Sequence, residues 1–146
     1  MNEREIKMMF LLRYDQMKER IIILTERRKA YEDDIYGLKA VNFSGTPKGS
    51  GVSDLSNKVT KLLTVTEDID NEVRELTEKM QYINDTIHSR LKNYRLISVL
   101  ELKYIDGLQR KQIAQIMRCS IQQVDSLTTK AIRMIKIKEA DLKKVL

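Results

Sequence analysis

The chain has 146 residues, 42% of them hydrophobic, 33% charged and 5% aromatic, with one proline, five glycines and a formal charge of +6. That balance supports cores that are narrow and built between long helices. A single cysteine forbids an internal disulfide and suits a reducing cytoplasm.

The opening MNEREIKMMFLL carries acids, and its apolar run covers only Met8 to Leu12, so it reads as neither a signal peptide nor a membrane span. From Phe10 onward, Tyr14, Met17, Ile21, Leu24, Arg28, Tyr31, Ile35 and Leu38 alternate steps of four and three. That is a heptad seam, broken only by Arg28. The spacing predicts a helix from Asn2 or Glu3 to residues 37–40, roughly 50 Å long at about 1.5 Å per residue. Met8, Leu11, Leu12, Ile22 and Ile23 fall beside the seam. They are more apolar surface than two strands cover, so either the C-terminal helices or a second copy of the chain should dock on them. A homodimer is the expectation.

Residues 44–53, SGTPKGSGVS, are predicted to break the helix, with Ser53 or Asp54 capping the next one. The seam then resumes at Leu55, Val59, Leu62, Thr66, Ile69, Val73, Leu76, Met80, Ile83 and Ile87, with Thr66 the one polar member. Two such helices joined by a turn-rich loop predict an antiparallel coiled-coil hairpin over residues 1–92. The loop, at ten residues, exceeds the about two to eight usual in bundles. His88 is the only histidine and lies on a charged run, so it reads as solvated; no metal-ligand spacing surrounds it. No glycine motif cradles a phosphate and no paired acids point to catalysis. The expectation is therefore a protein without enzyme chemistry, cofactor or metal.

Residues 93–146 are predicted to form a separate helical domain with a basic tail. In GLQRKQIAQIMRCSIQQVDSLTTKAIRMIKI, residues 107–137, Leu108, Ile113, Ala114 and Met117 recur at helical spacing. Arg118, Cys119 and Ser120 interrupt the pattern, and a second stripe follows at Val124, Leu127, Ala131, Ile132 and Ile135. Ser120 suits an N-cap and Gln123 completes a capping box. Cys119 is expected to be buried in the turn. Two short helices joined by a tight turn match the layout of a major-groove reader; a helical hairpin that only packs is the alternative on spacing alone. Charge favours the reader. Residues 107–146 hold nine Lys and Arg against three acids, so the whole excess of +6 lies there, with Arg110, Lys111 and Arg118 beside the turn.

Residues 94–135 resemble region 4 of bacterial sigma factors. The match is carried by Leu100-Glu101-Leu102-Lys103-Tyr104, Gly107-Leu108, Ile113-Ala114, Met117, Ser120, Val124, Leu127, Lys130-Ala131-Ile132 and Ile135. The resemblance implies an all-α fold ending in a sigma region 4-like helix-turn-helix, with Ile121, Gln122, Gln123, Asp125, Ser126 and Thr129 toward the bases. Gln122 suits adenine, Ile121 a thymine methyl and Asp125 a cytosine amino group, while capping competes for Gln123. Lys111, Arg118, Lys130, Arg133 and Lys136 are the phosphate candidates. The family usually has arginine at the positions of Ile121, Gln123 and Asp125, so the usual −35 promoter sequence is not the expected target.

The loop Val41-Asn42-Phe43-Ser44-Gly45-Thr46-Pro47-Lys48-Gly49-Ser50-Gly51-Val52-Ser53-Asp54, with residues 100–107 and 120–135, resembles the RinA/ArpU-like regulators of phages and prophages. That resemblance implies a cytoplasmic, double-stranded-DNA-binding activator of late genes. Two other readings stand beside it: a small terminase-like packaging or assembly protein, and a sigma-like factor that docks on RNA polymerase.

Overall fold

The computed structural model describes residues 1–43 and 49–146, with side chains described outside 39–53. Every regular element among them is helical: α1 (Glu3–Phe43), α2 (Gly49–Arg90), α3 (Tyr94–Leu100), a π-helical turn (Glu101–Ile105), α4 (Arg110–Met117), α5 (Ile121–Met134) and α6 (Glu139–Val145). No helix of the described residues is long and apolar enough to cross a membrane. Two compact units result, Glu19–Leu76 and Met1–Lys18 with Thr77–Leu146. The predicted boundary at residues 92–93 falls inside the second of these.

Helix α1 starts where expected. The Asn2 side chain accepts from the Glu5 amide at 2.9 Å, and Glu5 reaches back to the Asn2 amide at 3.3 Å. Its end runs past the predicted 37–40, to Phe43. The predicted loop is also partly wrong. Helix α2 already includes Gly49–Ser53, so Ser53 and Asp54 do not cap its start; residues 44–48 lie outside the described residues. In a helix interior proline costs about 3 kcal/mol or more, whereas each glycine costs only about 1 kcal/mol.

In the unit Glu19–Leu76 the seam residues Leu24, Ile35, Thr66, Ile69 and Leu76 are buried. Both polar members have partners. Thr66 donates its hydroxyl to the Leu63 carbonyl at 2.8 Å. Arg28 forks onto Asp70 at 2.6 and 3.2 Å and also pairs with Glu32. These bonds raise the Arg28 pKa, Asp70 first and Glu32 second, and they hold the Asp70 carboxyl below its ordinary range. Arg20 pairs with Glu72 at 3.1 Å. Exposed pairs of this kind add little to stability, because water and salt screen them.

The other unit holds most of the buried apolar residues, among them Phe10, Leu11, Met17, Ile83, Ile87, Leu96, Leu100, Ile113, Val124 and Ile135. Phe10 meets Tyr82 edge-to-face at 6.2 Å. Leu11 is fully buried here, and Met8 sulfur accepts from the Tyr104 hydroxyl at 3.9 Å, whereas Met9 and Leu12 stay exposed. Asn93 caps α3 by accepting from the amides of Arg95 and Leu96 at 2.9 and 3.4 Å. His88 is not simply solvated: its Nε2 lies 2.8 Å from Glu101. The chain after residue 137 is not a free basic tail either. Helix α6 buries Leu142 and Val145, and Asp141 is 5% exposed. The Asp141 carboxylate accepts from Arg90 at 2.5 and 2.8 Å, from the Tyr82 hydroxyl at 2.6 Å and from the Lys138 amide at 2.8 Å. The Arg90 bonds, chiefly, hold this carboxyl far below the usual range; burial opposes them.

A carboxyl so depressed stabilises the fold fully above its unfolded pKa and loses that contribution as pH falls. Asp141→Asn should therefore cost about 3 kcal/mol at neutral pH, the order expected for breaking a buried pair. The gap to the unaltered chain should close as pH falls below about 4. Urea unfolding of both proteins across that range measures it, and a gap independent of pH would refute the role. Two glycines should respond with opposite sign. A Cβ on Gly37 meets nothing within 4 Å in a helical backbone, so Gly37→Ala should stabilise by about 0.5–1 kcal/mol. Gly107 has φ +68°, so Gly107→Ala should destabilise by about 1 kcal/mol in the same assay.

Candidate nucleic-acid interface

Helices α4 and α5 are joined by Arg118, Cys119 and Ser120. The turn is built from local rules. Arg118 adopts the left-handed conformation, φ 55° and ψ 50°. The Cys119 amide donates to Ala114 O at 3.1 Å and the Arg118 amide to Gln115 O at 3.4 Å, which is a Schellman closure of α4. Among the described residues Arg118 is the only non-glycine with positive φ. Ser120 then caps α5. Its hydroxyl accepts from the Gln123 amide at 3.1 Å, and Gln123 Oε1 accepts from the Ser120 amide at 2.9 Å, the predicted capping box. Cys119 is half-buried rather than enclosed.

Helix α5 buries Val124, Thr128, Ala131 and, just past its end, Ile135. Thr128 enters this face because its hydroxyl bonds back to Val124 O at 2.8 Å, a device apolar spacing did not reveal. Ile121, Gln122, Gln123, Ser126 and Thr129 lie exposed, and Asp125 is half-buried. Their circumstances differ. Gln122 and Ser126 make no side-chain hydrogen bond among the described residues, while Gln123 serves the cap. Both Asp125 oxygens are taken by Arg110, Nε at 2.7 Å and Nη2 at 2.5 Å. That bond raises the Arg110 pKa.

The cations fall into groups. Lys111 and Arg118 line one cleft with Gln115, Cys119, Ser120 and Ile121. Arg133 and Thr129 line another, of about 530 Å³, with Asn2, Glu3, Arg4 and Lys7 from the start of α1. Lys136 lies past the end of α5, beside Arg90 and Lys138. Lys130 is exposed on α5. None of the five predicted phosphate candidates is in an ion pair among the described residues.

Sequence reading missed the groups that aim α5. Buried Lys7 pairs with Glu3 at 3.1 Å and donates to Arg133 O at 3.1 Å. Arg90 donates to Lys136 O at 2.9 Å. Lys7 satisfies a carbonyl in the last turn of α5, where the helix dipole favours positive charge, and Arg90 one just past the helix end. No local signal announces such partners, since Lys7 and Arg133 are 126 residues apart.

The chain belongs to the family DUF1492, described as a protein of unknown function, whose model matches residues 48–136. That span contains α2 through α5 and stops before α6. No curated protein and no solved structure matches the chain.

The left-handed Arg118 supplies a test of whether the turn stores backbone strain. A non-glycine residue there costs about 1 kcal/mol. Arg118→Gly should raise stability by about that amount in urea unfolding, and Arg118→Ala should not. Equal stability in the two variants would show that the arginine conformation is unstrained.

Proposed function

We propose that this DUF1492 chain is a sequence-specific DNA-binding transcriptional regulator, an activator of phage or prophage late genes. In this reading α4 and α5 form a sigma region 4-like helix-turn-helix, and α1 and α2 form the antiparallel coiled-coil hairpin that carries it. The observation that carries the reading is the surface of α5. Gln122 and Ser126 stand exposed and unbonded on its first two turns, and cations without acidic partners lie beside them on α4, the turn and α5. Burial of Val124, Thr128 and Ala131 on the opposite face keeps that polar surface outward. An isolated helical hairpin that only packed would not need such an array, because unpaired like charges repel.

The roles divide accordingly. Ile121, Gln122, Ser126 and Thr129 meet base edges in the major groove; Gln123 caps and contributes at most one remaining donor edge. Lys111, Arg118, Lys130, Arg133 and Lys136 meet phosphates. A dimer would place two such helices on half-sites near one helical turn apart or a multiple of it. Leu12, Ile22 and Ile23, together with Met9, are still exposed and are apolar residues left for a second copy. RNA polymerase is a further partner of an activator of this kind.

The test begins by selecting a preferred duplex from a randomised pool. Gln122→Ala should then lose about 1–3 kcal/mol on the selected duplex and little on a scrambled one. Arg133→Ala should weaken both alike and lower the salt slope by about one unit. Equal weakening of both duplexes by Gln122→Ala would mean α5 does not read bases in this orientation. Absence of any salt-dependent binding would end the DNA-binding reading.

A further inference from the structure

Asp125 is the one acid between residues 107 and 138, and it lies on the exposed stripe of α5, one turn from Ile121 and one from Thr129. A bare carboxylate there would repel the phosphates that the surrounding cations attract. The structure answers the charge from another helix. Arg110, the first residue of α4, presents Nε and Nη2 to the two Asp125 oxygens. This uses one edge of the planar guanidinium. The other edge, Nη1 with the second Nη2 hydrogen, makes no bond among the described residues, and the Arg110 side chain is 58% exposed.

We infer that Arg110 is a DNA phosphate contact whose guanidinium is oriented by Asp125, so that Asp125 is a positioning residue and reads no base. This rests on the DNA-binding reading of α4 and α5. Three features lead to it. A guanidinium has two planar forks, and one fork held by a carboxylate leaves the other preorganised for two oxygens of a second anion. Arg110 opens α4, where the helix dipole adds to the attraction for an anion, and phosphate is the anion that duplex DNA presents to a helix start. The bridge also ties α4 to the second turn of α5, so a phosphate held by Arg110 fixes the depth at which Ile121, Gln122 and Ser126 meet the groove. Lysine in place of Arg110 would keep the charge but not the two forks.

The experiment compares Asp125→Asn, Arg110→Ala, Arg110→Lys and the double variant Arg110→Ala/Asp125→Asn with the unaltered chain, by fluorescence anisotropy on selected and scrambled duplexes over a salt series. Charge counting alone says that removing an acid tightens binding to DNA. Positioning says the opposite: Asp125→Asn should weaken binding to both duplexes, roughly threefold. Arg110→Ala should weaken both by roughly tenfold and lower the salt slope by about one unit. The double variant should bind no worse than Arg110→Ala, and Arg110→Lys should restore the slope but only part of the affinity. Both side chains are substantially exposed, and thermal melting of each variant confirms that it folds. Tighter or unchanged binding by Asp125→Asn overturns the positioning role. A loss by Arg110→Ala confined to the selected duplex, at unchanged slope, makes Arg110 a base reader and overturns the phosphate contact. In either case salt-dependent binding by the unaltered chain leaves the DNA-binding reading standing; if the unaltered chain binds neither duplex, that reading falls and this one with it.

Discussion

The segment just past α5 is held by an arginine that a buried carboxylate fixes in place. Asp141 is buried on α6 and accepts from Arg90, Tyr82 and the Lys138 amide. Burying an acid is costly unless its lone pairs are answered, and here each oxygen is. The pairing fixes Arg90, and one of the same guanidinium's nitrogens donates to Lys136 O, just past the end of α5. Lys7 does the equivalent for Arg133 O. Two cations, one from each long helix, thus finish the helix that the functional reading places against DNA. Such bonds hold a direction in space, which apolar packing alone defines less sharply.

The unit Glu19–Leu76 meets a different constraint. Its stripe is narrow and it buries little aromatic surface, so the seam tolerates polar members only if they reach out of it. Arg28 does so through a long side chain that ends on Asp70 and Glu32. Thr66 does so by folding its hydroxyl onto its own helix. Each avoids an unpaired polar group in the seam, and among the described residues no buried side-chain nitrogen or oxygen lacks a partner.

What the sequence showed was governed by distance along the chain. The α1 start, the Ser120–Gln123 capping box and the Val124, Ala131 and Ile135 positions of the buried α5 stripe follow from helical spacing, and pattern reading found them; it placed Leu127 and Ile132 there too, which are half-buried, and missed Thr128. The heptad positions were legible for the same reason. The Arg110–Asp125 bridge joins residues 15 apart on two helices, and the Asp141 cluster joins α2 to α6 across 51 and 59 residues. Charge counts registered these residues as part of a basic excess and could not show that some of that charge is internally paired. Helix α6 was read as a tail because three lysines stand close to its acids, which masked the spacing of Leu142 and Val145. Gly49 and Gly51 were over-weighted as breakers when their cost is small beside that of proline.

The π-helical turn at Glu101–Ile105 has an implication for how this region can vary in length. The Asp106 amide reaches back five residues to Glu101 O at 2.9 Å, and the Leu108 amide six residues to Leu102 O, also at 2.9 Å. Such a turn holds one residue more than an α-helix needs, equivalent to about 100° of rotation. Leu100 and Tyr104 are buried on either side of that surplus. Losing one residue between them would leave the pair three apart, still on one face of an ordinary α-helix. The segment leading into α4 is therefore a place where the chain can shorten by one without exchanging its inside for its outside.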